Sequence, residues 1–95
     1  MRIEWHPLAH TDLVELVTFI AKEDPGAAYR IHDEIRQQTA GLAIFSEIGR
    51  VGRVRGTREL VITGTPYIVA YCLPGDRVIV LRVLHGARQW PRKIL

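Results

Sequence analysis

Apolar residues change their spacing twice along this chain, and each change marks a different kind of element. Arg2 to Trp5 alternates as a short amphipathic strand does and ends before Pro7. Leu13, Leu16, Val17 and Ile20 then recur at the intervals of one helix face, which predicts a helix over about 8–22. Asp24-Pro25 restarts the helical pattern, with Asp suited to cap a helix and Pro to its first position. A second helix is expected over about 25–45, with Ile31, Ile35, Leu42 and Phe45 facing inward. Gly41 weakens it locally by about 1 kcal/mol relative to Ala. So short a connection makes the two helices an antiparallel hairpin.

The texture changes at Ile48. Gly49-Arg-Val-Gly-Arg-Val-Arg-Gly56 follows neither period, and a flexible basic loop is expected over about 46–56. Three β-rich segments follow: Arg58 to Thr63, Pro66 to Leu73 and Arg77 to His85. Gly64-Thr65 and Pro74-Gly75-Asp76 separate them, and the second separator suits a type II turn. The expected fold is α+β, in the order β-α-α-β-β-β, with a helical hairpin packed on one face of a small antiparallel sheet. The other face or an edge is left for function. Residues 1–95 are expected to form one domain, with a single modest core and a partner supplying further stability.

Composition narrows the setting. No run approaches the roughly 18 apolar residues of a membrane span, and the N-terminus lacks a secretory pattern, so a cytoplasmic protein without membrane contact is expected. A single cysteine, Cys72, excludes a disulfide framework or a Cys-based zinc site and reads as a small buried hydrophobe. Charge is divided sharply at Gly49: the first part sums to −4 and the remainder to +7. Eleven of the thirteen basic residues are Arg, whose planar fork recognises phosphate and carboxylate. The basic half should seek an anionic partner.

Candidate chemistry concentrates in that half. Arg50, Arg53, Arg55 and Arg58 form either a solvated loop or, given their glycines, a surface that approaches an anion closely; the spacing is not a Walker A pattern. His85 ends the last strand and is either structural or a general acid or base. Arg82 either pairs with a carboxylate such as Glu59 or contacts an anion. Arg88 and Trp90 follow the Gly86 break and are expected at the surface, with Trp90 alternatively capping the core. Tyr29, Tyr67 and Tyr71 suit a core or sheet surface. His6, His10 and His32 are too scattered for a metal site, no G-x-S-x-G nucleophile motif is present, and no cofactor is expected.

Taken together, the element order, the Gly-Arg loop, Gly56-Thr-Arg-Glu-Leu-Val-Ile62, Pro66-Tyr-Ile-Val-Ala-Tyr71 and Arg82-Val-Leu-His-Gly-Ala-Arg88 resemble the RelE/ParE superfamily of bacterial toxins. The resemblance covers nearly the whole chain. It implies the toxin of a type II toxin-antitoxin pair, neutralised by a cognate antitoxin and able to enter a higher-order complex. RelE-like members cut mRNA on the ribosome with basic residues on the central strands and a C-terminal Arg and Tyr. ParE-like members poison DNA gyrase. Registered on Tyr67, the basic positions of the nucleases fall at Glu59, Val61 and Ile68, the C-terminal Arg at Arg88 and the Tyr near Ile94. The His-Gly-Ala-Arg ending is closer to ParE. The resemblance therefore implies a gyrase poison that blocks replication, with Arg50, Arg53, Arg55, Arg58, Arg82, Arg88 and Trp90 as target surface. The alternative is a ribosome-dependent endoribonuclease in which Arg58, Arg82 and Arg88 hold the phosphate and His85 moves a proton. Leu13, Val17 and Ile20 are the expected antitoxin contacts.

Overall fold

Two helices lie on one face of a five-stranded sheet, in a computed structural model that describes residues 1–88, 90 and 91. Strand β1 (Arg2–Trp5) leads into α1 (Pro7–Ala21) and α2 (Pro25–Ala40), and a 3-10 turn at Gly41–Ala43 follows. Strands β2 (Arg50–Val51), β3 (Arg58–Val61), β4 (Tyr67–Cys72) and β5 (Arg77–His85) complete the sheet in the order β1-β5-β4-β3-β2.

Local chemistry explains where the helices begin. The His6 ring accepts the Leu8 N–H through Nδ1 at 3.1 Å, and Pro7 takes the first helical position of α1, where no backbone donor is missed. Asp24 caps α2 by accepting the Ala27 N–H at 3.0 Å, with Pro25 next. Sequence reasoning placed the end of α2 several residues too late. Leu42 stays buried, but Ile44 and Phe45 are 79% and 64% exposed, so Phe45 does not face the core. The chain is drawn away by the Tyr71 hydroxyl, which donates to Ser46 O at 2.8 Å and accepts the Gly49 N–H at 2.9 Å. Tyr29 is likewise exposed on α2, not part of the core or sheet.

Ala9, Leu13, Ile35, Ile62, Val69, Val80 and Val83 form the core between hairpin and sheet, and Leu42, Tyr71 and Val78 extend it. A smaller cluster on the opposite sheet face joins Ala70 and Leu81 beneath Val54, with Cys72 half-buried at its margin. That face is therefore partly covered.

Three further expectations are corrected. The sheet is mixed, because β1 runs parallel to β5, from Arg2 opposite Arg77 to Trp5 opposite Val80. The segment expected as a free basic loop contains β2, antiparallel to β3, with Arg50 opposite Glu59. In the β4–β5 connection Gly75 (φ 63°) is the second residue of a turn closed by Arg77 N–H to Pro74 O at 3.3 Å. Positive φ there is the mirror-image arrangement that suits a right-twisted hairpin, not a type II turn.

Candidate functional site

The basic residues turn out to be distributed among quite different tasks. Arg50 and Arg53 converge on Glu59, whose side chain is only 2% exposed. Arg50 Nη2 reaches Oε1 at 2.9 Å, while the Arg53 backbone N–H and Nε reach Oε2 at 2.8 and 3.1 Å. Burial pushes the Glu59 carboxyl up, but the Arg53 and Arg50 bonds outweigh it and hold the group below its ordinary value. The outer side of the Arg53 guanidinium stacks on Trp90, 3.5 Å from the ring centroid, and Trp90 Nε1 donates to His85 O at 3.1 Å. One buried carboxylate thus ties the glycine-rich segment to the chain beyond β5.

Arg58 lies across this platform and donates to Glu47 O at 3.1 Å and Gly49 O at 2.8 Å, so its guanidinium buttresses the chain entering β2. Arg55 is exposed and makes no ion pair among the described residues. Arg82 is held by α1. Its Nε and Nη2 bond Asp12 at 2.7 and 2.9 Å, and this pairing raises the Arg82 pKa further. The expected carboxylate partner was Glu59, but the partner is Asp12, because Glu59 is occupied by Arg50 and Arg53.

His85 and Arg88 share a cleft of about 390 Å³ between α1 and the end of β5. Phe19, Tyr67 and Trp90 give it aromatic walls, and Asp12 and Glu15 border it from α1. His85 Nδ1 accepts the Ala87 N–H at 3.1 Å, and its ring meets Tyr67 edge-on with centroids 5.5 Å apart. Arg88 is exposed, and its side chain forms no ion pair among the described residues. The four residues of the nuclease reading are not gathered at one point: Arg58 pairs with Tyr71, whereas His85 pairs with Tyr67, a separation along β4 of roughly 13 Å at strand spacing. The position near Ile94 lies outside the described residues.

Of the expected antitoxin contacts, Leu13 is 3% exposed and belongs to the core, which is a correction, since α1 turns that side onto the sheet. Val17 and Ile20 are half-buried. The apolar groups α1 does expose are Leu8, Val14 and Phe19. Sequence reasoning missed Asp12, Glu15 and Phe19 as a site. Their spacing of three, then four, residues already placed them on one helix stripe, but what that stripe faces depends on the topology.

A family profile described as the ParE toxin of the type II toxin-antitoxin system parDE matches residues 3–90. The chain belongs to this toxin family. Y4kP of Sinorhizobium fredii (strain NBRC 101917 / NGR234) is 41% identical over 91 residues, covering 96% of this chain and 94% of the relative. Toxin RelE2 of Caulobacter vibrioides (strain ATCC 19089 / CIP 103742 / CB 15) is 30% identical over 87 residues, covering 92% and 97%. The fold is that of a solved chain from the chromosomal ParDE system of P. aeruginosa, with a TM-score of 0.80 at 23% identity over 87% of this chain and 92% of that one. As a ParE-family toxin the protein has an antitoxin as its partner. Among the described residues, no helix is long and apolar enough to cross a membrane.

Proposed function

We propose that this toxin arrests growth in the bacterial cytoplasm by binding and stalling DNA gyrase, without chemistry of its own. The observation that carries this reading is that Arg58 and Arg82, two of the three arginines a nuclease would need on its scissile phosphate, are each already engaged within the fold. Arg58 holds two backbone carbonyls and Arg82 holds Asp12. To present the Nε–Nη2 edge of its fork to a phosphate, Arg82 would have to abandon a carboxylate whose side chain is 13% exposed. Leaving that charge unpaired is costly. The central positions Glu59, Val61 and Ile68 offer no replacement cation. What remains accessible is a surface suited to a protein: exposed Arg55 and Arg88, the half-exposed Arg50 and Arg53, and Trp90 stacked among them.

A second reading, ribosome-dependent mRNA cleavage, draws on His85 and Arg88 sharing one cleft and on relatives that carry the RelE name. Replacing His85 by Gln separates the two. The turn after β5 is also closed by the Arg88 N–H on the His85 carbonyl at 3.2 Å, a backbone bond that the substitution leaves in place. On the gyrase reading, growth arrest after expression is retained. A loss of mRNA-cleaving activity by roughly 100-fold, with growth restored, would establish the nuclease instead.

A further inference from the structure

The segment between the 3-10 turn and β2 is fastened at several points, yet it turns apolar side chains to water. The Tyr71 hydroxyl holds Ser46 O and the Gly49 N–H, Arg58 holds Glu47 O and Gly49 O, and the Met1 ammonium donates to Ala43 O at 2.6 Å. Held in this way, Ile44, Phe45 and Ile48 are each about two-thirds exposed or more. Val61 on β3 is half-exposed and lines one groove with Phe45 and Ile48, while a second groove runs along Ile44, Phe45 and Ile48. The four therefore make one continuous apolar surface at this corner of the sheet. Side chains of this size and exposure present on the order of 500 Å² together, the scale at which an exposed patch is commonly an interaction site.

The surroundings of the patch decide what fits it. Strand β2 covers β3 only at Arg58 and Glu59, and further along Gln38 bonds both the N–H and the carbonyl of Thr63, at 2.9 and 3.0 Å. Between that plug and β2 there is no run of open edge for an incoming strand, so the contact is one of side chains between two folded surfaces. The rim carries both signs of charge. Glu47 is exposed and forms no ion pair among the described residues. Arg50, on the other flank of Ile48, gives Nε and Nη2 to Glu59 while half of its side chain stays in solvent. A uniformly acidic or uniformly basic partner would meet one of the two with like charge. A second copy of the same surface avoids this, because a two-fold axis near Ile48 sets Glu47 of each copy beside Arg50 of the other. Two copies would cover on the order of 1,000 Å² of side-chain surface, close to the lower limit for a specific association.

We propose that this corner is a self-association surface, where two copies of the toxin pair about a two-fold axis through Ile44, Phe45, Ile48 and Val61, with Glu47 against Arg50. An area at the lower limit makes the dimer reversible, with a Kd on the order of 10 μM. The proposal stands apart from the choice between gyrase and RNA as target. Strand β4 separates β3 from β5, so the cleft that holds His85 and Arg88 stays open in the dimer, and each dimer presents it twice.

The test is sedimentation equilibrium of the purified full-length toxin, from about ten-fold below that Kd to about ten-fold above it, with melting temperatures measured at the dilute end. Wild type should pass from monomer to dimer and stop there. Phe45→Ser and Ile48→Ser should each weaken the dimer by at least about ten-fold, and Glu47→Arg by roughly ten-fold because it sets like charges together twice. Their melting temperatures should match wild type, since all three side chains are exposed. Phe19→Ser removes an equally exposed aromatic side chain from α1 and should leave the dimer as it is. A wild type that stays monomeric at the highest concentration, or grows past a dimer, overturns the proposal. So does a dimer that survives Phe45→Ser or Glu47→Arg, or one that is lost with Phe19→Ser. Antitoxin affinity lost in Phe45→Ser beside a monomeric wild type would assign the corner to the antitoxin and overturn self-association.

Discussion

Replacing Glu59 by Gln tests the platform beneath the proposed target surface, because the change keeps the shape and removes only the charge. The wild-type carboxylate accepts from both guanidiniums and from the Arg53 backbone N–H. In the variant an amide group must face one of these donor sets, donor against donor. Hydrogen bonds to charged groups contribute about 1.5–3 kcal/mol each when intact. The two Arg side chains are 54% and 45% exposed, so water recovers part of what they lose. A net destabilisation of about 2 kcal/mol at neutral pH is expected, which for a domain of this size lowers the melting temperature by roughly 10 °C. Because the folded-state pKa of Glu59 lies below its unfolded value, its contribution is fully present above the unfolded pKa. That contribution is lost as pH falls through the folded one. Urea unfolding followed by circular dichroism at pH 7 and again near pH 3 is the assay. The gap between wild type and variant should shrink in acid. A gap of the same size at both pH values would refute an electrostatic role, and a gap below about 0.5 kcal/mol at pH 7 would refute any role for the pair beyond that of an ordinary surface contact.

Other perturbations probe separate contacts. Asp12→Ala should cost about 3 kcal/mol in denaturant unfolding, since it strands the Arg82 guanidinium and the Val83 N–H together. Tyr71→Phe should cost about 1–2 kcal/mol, because the Gly49 N–H and Ser46 carbonyl lose their shared hydroxyl; scanning calorimetry would measure it. Phe45→Ser should change stability by less than about 0.5 kcal/mol in the same assay, where a core position would cost several times more. Arg53→Lys should shift Trp90 emission in a Trp5→Phe background, since an ammonium cannot reproduce the planar stack.

Much of the architecture was legible because it is written in local periodicity and caps. The stripe of Leu13, Leu16 and Val17, the Asp24-Pro25 start and the alternation of β3 to β5 each depend on neighbours only a few residues away. The direction of β1 was not legible, since pairing Arg2 with Arg77 is a long-range choice made by the packing of the hairpin. Nor was β2: two residues cannot declare a period, and its pairing is held by Glu59 on the neighbouring strand β3. Phe45 misled for a related reason. Its position continues the apolar stripe of α2, but the hydrogen bonds of Tyr71 redirect the backbone before it arrives. At the site, the motif Arg82 to Arg88 pointed to the right end of the sheet and to the family. Which of its arginines are free did not follow from the motif, because Asp12 lies seventy positions from Arg82 in the chain.

The central claim is that the toxin acts by binding gyrase and not by cutting RNA. The most direct measurement is gyrase supercoiling in the presence of purified toxin, with cleaved DNA trapped by detergent, beside ribosome-dependent mRNA cleavage by the same preparation. The account predicts blocked supercoiling with accumulated linear DNA and intact mRNA. Cleaved mRNA with unaffected gyrase would contradict it.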